Sequence, residues 1–272
     1  MSDRYVDKIT ELIAGREKVF HTENSIQEKE GLIPDGKYPL EDNQWVKIPD
    51  VICVFVDIKN STGLSAVSHD KSTASVYELF TGTAIRLFHE FGAEYIDIKG
   101  DGVFALFSKN QVHTALVATM SFKTFVEKTF LPLVKSKLKD NVKIGSHIGI
   151  DQKTVLVKKL GLKNAEGRDI RQNEVWAGKP INMASKLASL AGDTEILVSD
   201  RFYKNLSGND LVQKNCGCEE RVGETGTKVS IWNNRPVPED SAFDFDTIYS
   251  TTALWCINHG KNCCEQVIAL DE

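Results

Sequence analysis

No apolar run in this chain approaches the ~20 residues that a membrane-spanning helix needs. The first residues also lack the apolar core of a secretory leader. No membrane association is predicted, and a cytoplasmic setting is expected. Positive charge is not in excess: 33 Lys and Arg stand against 38 Asp and Glu, a net charge of −5. A surface that coats nucleic acid needs the opposite balance, so no nucleic-acid partner is expected, and any polyphosphate must be held by a local site. Cysteine is too sparse for a disulfide framework, with six in 272 residues. Cys53 lies in an apolar stretch and reads as packing. Cys216-Gly217-Cys218 and Cys263-Cys264 lack the spacing of common structural zinc sites, and no paired His set completes a tetrahedron, so reduced thiols are expected. What is present is ordinary for a globular protein, 41% apolar and 26% charged, and the length suits one sizeable domain with appendages.

Two stretches carry the chemistry. Val51–Val56 is a continuous apolar run, read as a buried strand, and it ends in Asp57. Asn60, Ser61, Thr62 and Gly63 then lead into a helical pattern. A carboxylate at that exit, beside free N–H groups of a helix start, suits a hard cation that carries phosphate; the bland alternative is an Asp that caps the turn. In Glu94–Phe107, alternation through Tyr95–Ile98, the turn Gly100-Asp101-Gly102 and the apolar run Val103–Phe107 predict a hairpin with Asp101 at its tip. If the strand lies beside the hairpin, Asp57 and Asp101 converge, and two carboxylates in one place call for divalent metal.

These segments, F-V-D-I-K-N-S-T and I-K-G-D-G-V-F-A, resemble the two metal-binding segments of the class III nucleotidyl cyclases. W-A-G-K-P-I-N-M-A-S-K-L resembles the segment that carries that family's transition-state Asn and, four residues on, a basic residue; these align with Asn182 and Lys186. The closer resemblance is to the pyrimidine cyclases of bacterial anti-phage (Pycsar) systems. It spans roughly residues 45 to 232. The resemblance implies an α+β, ferredoxin-like catalytic domain, a mixed sheet with helices packed on it, in a head-to-tail homodimer. One copy would give the metal carboxylates and the other the base-reading and transition-state residues. It implies two divalent cations, Mn2+ or Mg2+ with Mn2+ favoured, held by Asp57, Asp101 and the Ile58 carbonyl. Backbone N–H groups of Lys59, Asn60, Ser61 and Thr62 would hold the β- and γ-phosphates. Asn182 would orient the ribose, and Lys186 would neutralise phosphate charge. The family usually has Arg there, and Lys keeps the sign without the bidentate fork. Lys228 is a further candidate for the terminal-phosphate lysine; solvated surface charge is the alternative for both lysines.

Base choice turns on Asp97, four residues before Asp101. On a strand Asp97, Lys99 and Asp101 share a face. An ionised carboxylate only accepts hydrogen bonds, and uracil N3 and guanine N1 carry N–H groups where cytosine N3 and adenine N1 do not. Asp97 therefore favours UTP or GTP, unless it pairs with Lys99. Val175 or Glu174 marks the second specificity position. Phe55, on the Asp57 face, would narrow the pocket toward a pyrimidine or else simply pack. The expected product is cyclic UMP, read by a separate effector in anti-phage defence. A cytidylate cyclase, a guanylyl cyclase and an inactive nucleotide-binding domain stay open.

The remaining pattern gives three parts: residues 1–44 as a helix and arm, 45–234 as the catalytic domain, and 235–272 as a C-terminal extension. A helix is expected from 3 to about 20, then a loop to 44. One short and one long helix follow within 62–91, and another helix over 111–133. Strands are expected at 142–150 and 154–160 as a hairpin, with a loop over 161–173. A helix at 180–190, a strand at 195–198, a helix at 200–206 and a last strand at 228–232 complete the domain. Residues 233–246 read as a linker, and 247–270 as one or two short elements.

Overall fold

The computed structural model describes residues 2–33, 36–67, 69–138, 143–163, 169–206, 208–219, 223–224, 226–239 and 241–272. In chain order the elements are α1 (Ser2–His21), β1 (Ser25–Glu28), β2 (Gln44–Lys59), α2 (Ser61–Val67), α3 (Asp70–Glu90), β3 (Tyr95–Lys99), β4 (Gly102–Phe107), α4 (Val112–Phe125), α5 (Leu131–Leu138), β5 (Gly145–Lys163), β6 (Asp169–Gly178), α6 (Lys179–Leu190), β7 (Ile196–Ser199), α7 (Asp200–Asn205), α8 (Asp210–Gln213), β8 (Cys218–Glu219), β9 (Gly223–Glu224), β10 (Asn233–Pro236), β11 (Thr247–Thr251) and α9 (Gly260–Ile268). No helix among the described residues is long and apolar enough to cross a membrane.

The chain divides into two compact units, Met1–Pro49 with Val155–Ala177 and Asp50–Thr154 with Gly178–Glu272. In the first, β1 pairs in parallel with the start of β2, Ser25 opposite Gln44, in the stretch the sequence predicts as loop. Val46, Ile48, Val155 and Val157 are buried. The Lys158 Nζ donates to the Glu41 carbonyl and lies 5.6 Å from the Trp45 ring centre. Helix α1 leaves Tyr5, Ile9, Leu12 and Ile13 exposed.

In the second unit the strand order is β10-β11-β7-β5-β2-β4-β3. β10 with β11, β11 with β7, β2 with β4 and β3 with β4 pair antiparallel, and β5 with β7 pairs in parallel. Alternation along β2 decides what each face holds. Ile52, Val54, Val56 and Ile58 join Val103, Ala105 and Phe107 of β4 and Ile148 and Ile150 of β5 in the main core. Helices α3 and α4 cover this face. Phe80 meets Phe122 and Phe130 edge-on, with ring centres 5.1 and 5.2 Å apart, an arrangement that adds to plain area burial.

The opposite face carries Phe55 and Asp57, and α6 packs on it through Met183, Leu187 and Ala191 against Leu197, Phe245 and Ile248. Gly149 of β5 permits the approach: a Cβ there would lie 2.1 Å from the Ala184 carbonyl oxygen and 2.6 Å from the Ala188 nitrogen.

Several expected boundaries shift. The helix over 111–133 is α4, a π-helical turn at Val126–Phe130, and α5, whose second residue is Pro132; proline is tolerated in a first turn. The hairpin of 142–150 with 154–160 is instead the single strand β5, and its partner is β6, which begins within the loop expected over 161–173; residues 142 and 164–168 lie outside the described residues. The polar Asp151-Gln152-Lys153 reads as a turn in sequence. In the fold Asp151 and Gln152 are buried and satisfied, by Arg201 and by the Asp50 carbonyl and Asn205, so the strand continues through them. The expected strand at 228–232 is reduced to one bridge, Ser230 with Lys214. The closing strands are β10 and β11, in the segments read as linker and extension.

That extension is built into the unit. The Asp271 carboxylate accepts the backbone N–H groups of His113 and Thr114 in the first turn of α4, at 3.0 and 2.7 Å. Lys123 donates to the Thr252 carbonyl, and the Trp255 indole donates to Ser121.

Candidate active site

Residues in register across β2, β4 and β3 share a face. Phe55 lies opposite Phe104, and Phe104 opposite Asp97. One cross-strand row therefore holds both residues singled out for base recognition. The next row along this face holds Lys99 opposite Gly102, with Asp57 beside it. A Cβ on Gly102 would stand 2.8 Å from the Phe55 ring and 3.3 Å from the Asp57 carboxylate. Only a glycine lets the hairpin close over Phe55 and bring Asp101 to Asp57. The sequence reading used the G-D-G triplet as turn chemistry and missed this steric role.

The two carboxylates meet. Burial and then the neighbouring Asp101 raise the Asp57 pKa to about 7, against the lowering effect of the Ile58 N–H, which donates to its Oδ1 at 3.0 Å. One Asp101 oxygen, Oδ2, is buried without a hydrogen-bond partner. A half-buried acid pair with an orphaned oxygen is a pocket of hard donors that suits a divalent cation.

The link from β2 to α2 is held by Asn60 at φ +64°, a left-handed conformation Asn tolerates. Its side-chain amide donates to the Lys143 carbonyl, its own carbonyl accepts the Leu64 N–H, and its side chain fills the space where a Cβ on Gly63 would stand. Lys59 extends its amine to Asp193 as an ion pair. The side chains of Lys59 and Asn60 thus shape the turn. Leu64 is fully buried and anchors α2; Thr62 is exposed.

Asp97 is engaged within its own strand. Its Oδ2 lies 2.6 Å from the Lys99 amine, and its Oδ1 accepts the Ile98 N–H at 2.8 Å. Lys99 also stands 5.9 Å from the Phe104 ring centre. Glu174 faces Lys159 at 3.7 Å, in the first unit.

Asn182 is exposed near the start of α6. Lys186, one turn on, is held from the C-terminal side: its amine donates to the Ala242 carbonyl at 3.0 Å and lies 5.9 Å from the Phe243 ring centre. The sequence reads this segment as a linker. It is locked in turn by Asp244, which accepts Arg201, Lys153 and Lys179 at 2.8 to 2.9 Å. Burial alone would raise the Asp244 pKa, but these three cations hold it well below the usual carboxylate range. Lys228 is exposed, with Cys263 as its electrostatic neighbour.

The profile of the adenylate and guanylate cyclase catalytic domain matches residues 44–230. A uridylate cyclase of Propioniciclava tarda is 34% identical over 243 residues, covering 86% of this chain and 76% of the relative. Another, of Micromonospora echinofusca, is 32% identical over 232 residues, covering 85% and 73%. Among solved structures, the guanylyl cyclase Cya2 superposes with a TM-score of 0.58 at 17% identity, over 76% of this chain and 93% of that one. The adenylyl cyclase CyaB from P. aeruginosa gives 0.56 at 16%, over 77% and 96%. At those identities the likeness is of fold, and it agrees with the mixed sheet and helix layers described above. The chain belongs to the class III nucleotidyl cyclases, the family of the adenylate and guanylate cyclase catalytic domain.

Proposed function

We propose that the chain converts UTP to 3′,5′-cyclic UMP and pyrophosphate. The observation that carries the reading is the Asp57–Asp101 pair, one row from the Phe55–Phe104–Asp97 line; the relatives' printed name, uridylate cyclase, points to the same base. The 3′-hydroxyl oxygen attacks the α-phosphorus, its proton leaves, and the bond to the bridging oxygen of the β-phosphate breaks.

Catalysis in this family uses two divalent cations, and the donors here fit them: Asp57, Asp101 with its orphaned oxygen, and the Ile58 carbonyl. Bound, they supply acidity to the hydroxyl and positive charge to the triphosphate; we favour Mn2+ over Mg2+. Backbone N–H groups of Lys59 to Thr62 receive the outer phosphates. Asn182 orients the ribose, and Lys186 meets the charge that develops on the α-phosphate. Phe55 packs on the base. Asp97 keeps acceptor capacity beyond its bonds to Lys99 and Ile98 N–H, and takes the uracil N3–H.

Asn182 and Lys186 act on the aspartate pair of a second copy, so the working form is a head-to-tail homodimer. The product is read by a separate effector, in anti-phage defence.

Purified protein incubated with each of the four nucleoside triphosphates and Mn2+ gives cyclic UMP as its main product, by mass spectrometry. No cyclic nucleotide from any of them overturns the cyclase reading, and cyclic GMP or cyclic CMP as main product overturns the uracil reading. Mixing inactive Asp57→Ala and Asn182→Ala proteins restores about a quarter of wild-type activity if two copies share each site. No recovery, with mixed dimers formed, removes the shared site.

A further inference from the structure

Away from the nucleotide site, four side chains converge that the sequence reading kept apart. The Sγ atoms of Cys216, Cys218 and Cys256 and a ring nitrogen of His259 all lie within 4.8 Å of one another. The Cys218 and Cys256 sulfurs stand 3.4 and 3.8 Å from His259 Nδ1. A tetrahedral zinc with bonds of about 2.3 Å to sulfur and about 2.0 Å to nitrogen separates its donors by about 3.5 to 3.8 Å. We propose that Cys216, Cys218, Cys256 and His259 form a structural zinc site that ties the C-terminal extension to the catalytic domain.

Local structure explains how each half presents two donors. Gly217 sits at φ +79°, a left-handed turn between the two cysteines. A Cβ there would press within 3.2 Å of the Gly226 and Thr227 backbone. Asn215 fixes the loop by accepting the N–H groups of Gly217 and Val229. The other half, C-I-N-H, occupies the turn before α9, with His259 as the residue preceding the helix. There the backbone N–H groups of Asn258 and His259 point at the Cys256 sulfur, the partners that a metal-bound thiolate takes. All six cysteines are free thiols. The four donors line a cavity of about 620 Å³, which gives an ion a route in.

Donor chemistry selects the metal. Three sulfurs and one imidazole are soft and suit tetrahedral zinc, whereas the aspartate pair offers hard oxygen. Four protein donors leave no open position, so the site is structural. Neither C-x-C nor C-x-x-H is a complete signature. They become one because the 214–218 loop and the 252–259 segment are neighbours in space, an adjacency no local spacing encodes. Cys263 lies beside the set and Cys264 next to it in sequence; neither belongs to it.

The test is metal content of the purified full chain, by mass spectrometry after exhaustive dialysis. One zinc per chain is expected. It persists in the Asp57→Asn/Asp101→Asn protein and in Cys264→Ser, and is lost in Cys218→Ser and in Cys256→Ser. Cobalt-loaded protein shows the thiolate charge-transfer band and the intense visible bands of a tetrahedral site. Wild-type protein that is folded, zinc-free and reactive at all these thiols overturns the proposal. So does a disulfide among them, or zinc that survives both ligand substitutions. Because the first reading is made on wild-type protein, a variant that fails to fold does not shield the proposal.

Discussion

Asp57 gives a titration that can be followed without turnover. In metal-free protein its pKa is about 7, against about 3.9 for an exposed Asp. Between those values the folded chain holds a proton that the unfolded chain has released. More protons bound in the folded state means that stability falls as pH rises. The contribution is complete below about pH 4 and gone once pH has passed about 7. Three units at 1.36 kcal/mol each give about 4 kcal/mol; the carboxyl is only half-buried, and solvent screening cuts this to roughly 2 kcal/mol. For a chain of this size that is a melting shift of about 4–8 °C. The assay is thermal melting with chelator present, from about pH 4 to about pH 8, on wild type and Asp57→Asn. The amide does not titrate, so wild type loses ground against the variant across that range. Mn2+ or Mg2+ restores wild type at the alkaline end, where no proton competes, and leaves the variant little changed. A wild-type-minus-variant difference that is flat with pH, or a variant stabilised by metal as much as wild type, refutes the account of the site.

Three further outcomes follow from the geometry. Asp97→Asn replaces an acceptor-only group by one that also donates; UTP turnover falls by about tenfold or more, the ~1.5–3 kcal/mol of a charge-assisted hydrogen bond, and CTP gains relative to UTP. An unchanged ratio in a four-nucleotide competition assay counts against base reading by Asp97. Gly149→Ala forces a Cβ into the α6 backbone; overpacking costs about 1–3 kcal/mol in urea unfolding, and kcat drops further because Asn182 and Lys186 ride on that helix, while unchanged stability and kcat would contradict the packing. Arg201→Met leaves the fully buried Asp151 carboxylate without its partner; a loss of about 3–5 kcal/mol is expected, recovered in Arg201→Met/Asp151→Leu, and a loss under ~1 kcal/mol would show that the pair is not the clamp it looks like.

What the sequence made legible is what local rules encode. The apolar run into Asp57, the hairpin at Asp101 and the helix after Pro180 each announce themselves by alternation, turn residues or helical spacing, and each stands where it was expected. Period two alone puts Phe55 with Asp57 and Asp97 with Lys99; that the two strands bring Phe55 and Asp97 into one row is a matter of register across β4. The failures share a cause. Asp151, Gln152 and Lys153 look like a turn because they are polar, and it is partners from β2, α7 and the C-terminal segment that let the strand run through them. Gly102 and Gly149 are invisible as steric requirements until the Phe55 ring and α6 lie against them.

The C-terminal extension is where this matters most. Its composition, acidic and proline-bearing, argues for a tether, yet three of its polar groups are matched elsewhere in the unit: Asp244 by Arg201, Lys153 and Lys179, the Ala242 carbonyl by Lys186, Asp271 by the first turn of α4. A chain segment with no core of its own is ordered when the body supplies the missing half of each interaction. This bears on the role proposed for Lys186. A lysine on an exposed helix face would sample many rotamers, and each one lost on meeting phosphate would oppose catalysis. Holding its amine against a carbonyl and an aromatic face narrows that choice before substrate arrives. In the proposed reaction, Ala242 and Phe243 therefore give a flexible amine part of the orientation that the guanidinium fork usual in the family would supply.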